Sequence, residues 1–229
     1  MSRKRDLYLY EELMLLALRD KEGTFAHDDM SFLYALGGAL LGDLLLLEKV
    51  SIDQVKKKKF VEVRNASPLG DSLLDECLEK LRGAKRRATV ETWVTRFGGL
   101  KKMRPRAAEQ LCRRGILRVD EKSVLLIFSK KVYPELDPGP EREIVERLRD
   151  AIFNDETELD SRTTILVALA DKAGVLKNSF GKKELKARKK RIEEIGDGDL
   201  TVKAVKDIVA GIQVAVMVAI TASTASAAT

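Results

Sequence analysis

The stretch from Met30 to Leu47 is apolar enough that, read as a helix, it requires close helical neighbours. Its small residues Gly37, Gly38, Ala39 and Gly42 let another helix approach closely. A phosphate-binding glycine loop is a poorer reading, because Gly-Gly-Ala-Leu-Leu-Gly lacks the terminal Gly-Lys-Ser/Thr and no strong strand precedes it. Around this segment, apolar residues recur at helical spacing. Leu7, Leu9, Leu13, Leu16 and Ala17 predict a helix that ends before Asp20-Lys21-Glu22-Gly23. Further helices are expected from Asp71, as cap, to about Leu81, over Thr89 to Phe97 with the sole tryptophan Trp93, and over Pro105 to Arg114. Glu141 to Phe153, Arg162 to Ala173, Lys182 to Ile195 and Thr201 to Ala219 complete the set.

Short β-like segments interrupt the helices. Val50-Ser51-Ile52 and Phe60-Val61-Glu62-Val63 flank the run Lys56 to Lys59, which reads as a solvated hairpin loop or as a phosphate contact. Ile116 to Val119 and Val124 to Phe128 flank an expected turn at Asp120 to Ser123. Pro134 to Pro140, with three prolines and a glycine, reads as a linker.

The 229 residues are 45% hydrophobic and 5% aromatic, enough for one substantial core and a composition that favours helices over a β-sandwich. The expected architecture is therefore mainly α. Cys77 and Cys112 sit in helical patterns beside apolar neighbours, where a cysteine acts as a small buried hydrophobe. Ile208 to Ala222, the most apolar stretch, falls short of the roughly twenty residues of a membrane span and is expected to be a buried C-terminal helix. The start Met1 to Arg5 followed by Leu7 to Leu18 lacks a signal-peptide core, because Asp6, Glu11 and Glu12 interrupt it.

Charge narrows the function. The net charge of +6 suits an anionic partner, phospholipid or nucleic acid. His27 is the single histidine, so a multi-histidine metal site is excluded, and no Gly-x-Ser-x-Gly elbow is present. No metal, no cofactor and no catalysis are expected. The cations concentrate in Leu100-Lys101-Lys102-Met103-Arg104-Pro105-Arg106. Proline suits the first position of a helix, and a start at Pro105 would leave the N–H groups of Arg106 and Ala107 free toward a phosphate. Lys101 and Arg104 add two full charges, and Lys102 and Arg106 are further candidate contacts. The alternative is a solvated basic face. Shortly afterwards Val124, Leu125, Leu126, Ile127 and Phe128 form an apolar run without alternation, which fits burial on both faces, pairing with a second copy, or contact with lipid.

Several blocks resemble one known family. Leu7-Tyr8-Leu9-Tyr10-Glu11-Glu12-Leu13-Met14-Leu15-Leu16-Ala17-Leu18-Arg19-Asp20-Lys21-Glu22-Gly23 resembles the opening of the Golgi phosphoprotein 3-like family, and Gly70 to Glu76 resembles its second signature. Thr89 to Val94, Leu100 to Leu117 and Ile165 to Phe180 resemble later parts, so the resemblance spans residues 6–220. It implies a single globular domain of central apolar helices surrounded by amphipathic helices and short β-hairpins. Residues 1–5 would be a short basic N-terminus and residues 221–229 a flexible tail.

The resemblance also implies a peripheral membrane adaptor that binds phosphatidylinositol 4-phosphate and tethers membrane-protein clients. It would be cytoplasmic, on the cytosolic face of a membrane, the Golgi in a eukaryote; a bacterial source is left open. The family's two basic headgroup positions fall on Lys101 and Arg104. Its tryptophan and arginine positions fall near Asp28 and Gly37, where this chain departs. The segment Val124 to Phe128 corresponds to a hairpin used for membrane insertion and homo-oligomer contacts. Two other readings stand beside this one: a winged-helix-like nucleic-acid binder, disfavoured by the missing alternation in the second strand, and a protein–protein adaptor without a lipid site.

Overall fold

Helices that are apolar on every side occupy the centre of the molecule, and helices apolar on one side wrap them. A computed structural model describes residues 7–19, 23–25, 30–124, 128–197, 212, 214, 216–218 and 221, with the side chains of residues 19, 25, 122–124 and 128–130 left aside. Helix α1 (Leu9–Ala17) is buried at every position. Strands β1 (Leu18–Arg19) and β2 (Thr24–Phe25) pair and lead to α2 (Met30–Leu46), which is buried from Tyr34 to Leu45. The third central helix, α7 (Ser161–Lys172), is buried from Thr163 to Ala170.

Two of the acids buried in this core satisfy backbone donors. Asp43 is the one charged residue of α2, and its carboxylate accepts from the N–H of Leu9 at 2.8 Å and of Tyr10 at 3.2 Å. A helix start leaves such donors without intrahelical partners, so α2 caps α1 from the side. Glu11 closes the same end by accepting the N–H of Tyr8 at 2.8 Å.

The wrapping helices are α3 (Ser72–Arg82), α4 (Val90–Gly98), α5 (Met103–Arg113), α6 (Gly139–Phe153), the short α8 (Leu176–Ser179) and α9 (Lys182–Ala187), and α10 (Lys189–Gly196). Asp71 caps α3, as its position in the sequence predicts, accepting from the N–H groups of Leu73 and Leu74 at 3.0 Å. The closest helix crossing is α2 on α4. A Cβ on Gly37 would lie 2.4 Å from the Val94 carbonyl oxygen, and one on Gly98 would lie 2.8 Å from the Tyr34 ring. The hairpin β3 (Val50–Val55) and β4 (Lys58–Val63) turns at Lys56-Lys57 and docks on this region through a bridge from Phe60 to Thr89. A continuous cluster of buried side chains runs through all these layers, from Leu9 to Val216, so the chain forms a single globular domain. Cys77 is buried, Cys112 is half-buried, and both are free thiols, in keeping with their apolar surroundings.

Four expectations change. The hairpin after α5 is displaced: β5 (Asp120–Val124) pairs with β6 (Phe128–Val132), so the expected turn at Asp120 to Ser123 is strand. This register sets Glu121 opposite Lys131 and Lys122 opposite Lys130, so facing charges alone do not select it, and Lys131 instead reaches Glu109 of α5 at 3.3 Å. Val124 pairs with Phe128, and Leu125, Leu126 and Ile127, which lie between them in the chain, fall outside the described residues, as do the side chains of Val124 and Phe128. Ile116 to Val119 forms no strand of its own. It runs beside Pro134 to Asp137, where Arg118 N–H donates to the Pro134 carbonyl at 3.0 Å and Leu136 N–H to that of Ile116 at 2.8 Å. The expected linker Pro134 to Pro140 is thus hydrogen-bonded to the body. The expected helix Lys182 to Ile195 breaks at Arg188, whose guanidinium reaches the Ile152 carbonyl at 2.8 Å and Asp155. Finally, α5 begins at Met103, two residues ahead of Pro105.

Ile212 and Val216 are buried in helical geometry, while the remainder of the helix expected over Thr201 to Ala219 lies mostly outside the described residues. So do the segments 1–5 and 222–229. Among the described residues, no helix is long and apolar enough to cross a membrane.

Candidate functional site

The start of α5 is set by its neighbours in sequence. Helix α4 ends at Gly98, Leu100 is buried against the core, and Lys102 takes a left-handed backbone (φ 53°, ψ 34°) that turns the chain into α5. Lys101 and Lys102 stand exposed beside this turn, and Met103 is buried beneath it. Pro105 is the third helical residue, still within the first turn, so its missing N–H breaks no helical bond. The N–H of Arg106 is therefore committed to the Lys102 carbonyl at 3.0 Å. The donors outside the helix's own ladder are those of Met103 and Arg104, one turn earlier than the sequence suggested.

The four nominated cations go different ways. Lys101 and Lys102 project into solvent. Arg104 is half-buried with its guanidinium 5.9 Å from the centre of the Phe32 ring on α2, and burial pulls its pKa below the usual arginine value. Arg106 turns away to α3, donating to Glu76 at 2.6 Å and to the Ser72 carbonyl at 3.1 Å. It links α3 to α5. Gly37 faces the α4 backbone with no room for a side chain, so nothing there can replace an arginine. Asp28 and His27 lie outside the described residues. Phe32 is the contributor that sequence reasoning missed; its neighbours Ser31 and Leu33 carry no signal that would have singled it out.

Residues 9–212 match the family described as Golgi phosphoprotein 3 (GPP34). The chain belongs to this family. It is 28% identical over 176 residues to the vacuolar protein sorting-associated protein 74 of Eremothecium gossypii, covering 69% of this chain and 53% of that relative. The chain thus spans about half the length of the curated relative it matches. Within this Golgi phosphoprotein 3-family fold, the basic start of α5 sits between α4 and the first turn of α2.

A second polar constellation surrounds the start of α1, which sequence reasoning read only as interruptions of an apolar run. Glu12 carries Arg147 of α6 on one oxygen at 2.8 Å and Arg162 of α7 on the other at 3.2 Å. Arg162 also donates to the Leu7 carbonyl. Glu11, fully buried, lies 2.8 Å from Arg114 at the end of α5, and Arg114 packs over the Tyr8 ring. Tyr10 donates its hydroxyl to Asp71 at 2.6 Å. Burial pushes Glu11 up to about 7 and Asp43 up to about 8, against the hydrogen bonds that favour their charged forms. Burial raises the Tyr10 hydroxyl as well, followed by the Glu11 and Asp71 charges. Adjacent acids inside an otherwise apolar helix were the available signal. Among the described residues no cluster of metal-ligating side chains is present.

Proposed function

We propose that the chain is a peripheral membrane adaptor, without catalytic activity, that docks on anionic lipid headgroups through Lys101 and Arg104. The placement of the cations at the start of α5 carries this reading. Lys101 and Lys102 are open to solvent, and Arg104 is held beside them against α2. Membership of the Golgi phosphoprotein 3 family supports it. Each basic residue near an anionic surface contributes on the order of 1 kcal/mol, so the cluster acts as a set, with Lys102 adding to the other two. Attraction of this kind weakens as salt rises.

Phosphatidylinositol 4-phosphate is the finer candidate. With Gly37 sterically closed to any side chain, the site reads headgroup charge more than headgroup identity. The segment Val124 to Phe128 supplies the apolar part of the contact, in lipid or against a second copy, and membrane-protein clients are held at the cytosolic face, of the Golgi where the cell has one.

The test is co-sedimentation with vesicles. Wild type should pellet with vesicles containing phosphatidylserine or phosphatidylinositol 4-phosphate and remain in solution with neutral ones. Lys101→Glu combined with Arg104→Glu should abolish the anionic binding while circular dichroism shows an unchanged helical signal. Binding by the folded double variant at the wild-type level would rule this site out.

A further inference from the structure

A cleft of about 970 Å³ opens on another side of the molecule, at the opposite end of α5. Four helices begin on it. Tyr8 precedes α1, Asp71 caps α3, Pro140 lies in the first turn of α6 and Arg162 in that of α7. Each helix start carries a partial positive charge of roughly half an elementary unit. The guanidiniums of Arg113, Arg114, Arg147 and Arg162 line the same space.

Formal charge is balanced there, because Glu11, Glu12, Asp71 and Glu143 stand against the four arginines. The acids do not occupy the arginines equally. Glu11 takes the Tyr8 N–H and Arg114. Glu12 is divided between two guanidiniums. Asp71 accepts from the Tyr10 hydroxyl and from two backbone N–H groups. A guanidinium carries five N–H donors, so single side-chain partners leave Arg113 and Arg147 with donors to spare. The Nε of Arg147 is buried with no hydrogen-bond partner among the described residues. Arg113, exposed at the rim, reaches the neutral side chain of Gln110 at 2.8 Å. A planar carboxylate is met well by a single guanidinium fork, whereas these arginines approach from α5, α6 and α7. A tetrahedral phosphate, with three terminal oxygens, can accept from several directions. Leu69, Ile116 and Ile144 give the remaining wall an apolar character.

We propose that this cleft binds a phosphate monoester, with the phosphate between Arg113 and Arg147 and an apolar body against Ile116 and Ile144. The site is separate from the start of α5, and the inference does not depend on membrane docking there.

Calorimetric titration of the full chain with phenyl phosphate tests it, with benzoate and phenol as controls. Phenyl phosphate should bind at one site, benzoate at least tenfold more weakly, and phenol not at all. Arg113→Gln should weaken phenyl phosphate at least tenfold. Arg147→Lys, which keeps a cation beside Glu12 but removes the Nε donor, should weaken it too. Should that variant fail to fold, Arg113→Gln decides alone, since its side chain is exposed. Lys101→Glu with Arg104→Glu should bind phenyl phosphate as wild type does. Vesicles carrying phosphatidylinositol 4-phosphate will displace phenyl phosphate from the wild type if the natural phosphate is a lipid headgroup and leave it bound if it is a soluble metabolite; either supports the cleft. Absence of binding, benzoate binding as tight as phenyl phosphate, or loss of binding in the α5-start variant but not in Arg113→Gln would overturn the proposal.

Discussion

Helix α5 carries cations at both ends and treats them in opposite ways. At its start Lys101 and Lys102 stand in water, a few residues from the half-buried Arg104. At its end Arg114 is matched to the fully buried Glu11, within a network that also holds Glu12, Arg147 and Arg162. Local sequence looks similar at the two ends: a few basic residues on an amphipathic helix. What differs is the solvent. A charge in water is screened, contributes little to stability and stays available to a partner. A charge removed from water must be matched, and once matched it fixes the elements that carry it.

The sharpest way to break this contrast is Glu12→Gln. It would leave Arg147 and Arg162 facing a neutral amide and should lower the unfolding free energy by about 3 kcal/mol, read by urea denaturation. A loss within about 0.5 kcal/mol would mean the network behaves like a surface pair. Next comes Gly37→Ala, which concerns the platform beneath the α5 start. The added Cβ would meet the Val94 carbonyl at 2.4 Å, so α2 and α4 must separate, at a cost of about 1–3 kcal/mol. Vesicle binding of whatever fraction remains folded should persist.

The buried acids also give the two ends different pH behaviour. Glu11 and Asp43 titrate near 7 and 8 when folded, above their ordinary 4.5 and 3.8. The folded chain therefore holds protons that the unfolded chain has released. Their contribution to stability is complete below those ordinary values and is lost as pH rises through 7 and 8. The urea midpoint should fall across that interval, and Asp43→Asn should flatten the fall; an equal slope in both chains would count against the assignment. The smallest effect is expected at Lys102→Gly. Glycine adopts the left-handed backbone without strain, so stability should rise by up to about 1 kcal/mol even as one cation is removed. Vesicle affinity should fall slightly in the same variant.

Much of the fold was legible in the sequence because its cues are local. The apolar spacing placed α1, α2 and α3 to within about two residues, and Asp71 declared itself as a cap immediately before a helical run. The cations at the start of α5 were legible too, as a cluster. Which of them face outward was not, because Arg106 is taken by Glu76, 30 positions earlier in the chain. Glu12 was harder still, since its partners lie 135 and 150 positions away. The hairpin was misplaced for a related reason. An apolar run without alternation carries no register, and the contact of Lys131 with Glu109 of α5 exists only once the hairpin packs on that helix.

By itself, then, the sequence determined a helical domain with apolar central helices, an exposed basic turn and the family to which the chain belongs, since periodicity, capping and motif spacing are properties of neighbouring residues. Only the tertiary structure decided that Asp43 caps α1, that Gly37 is closed by α4, and that acids near the N-terminus gather arginines from three other helices. Burial and pairing depend on which distant segments exclude water together, and that is a property of the packed chain.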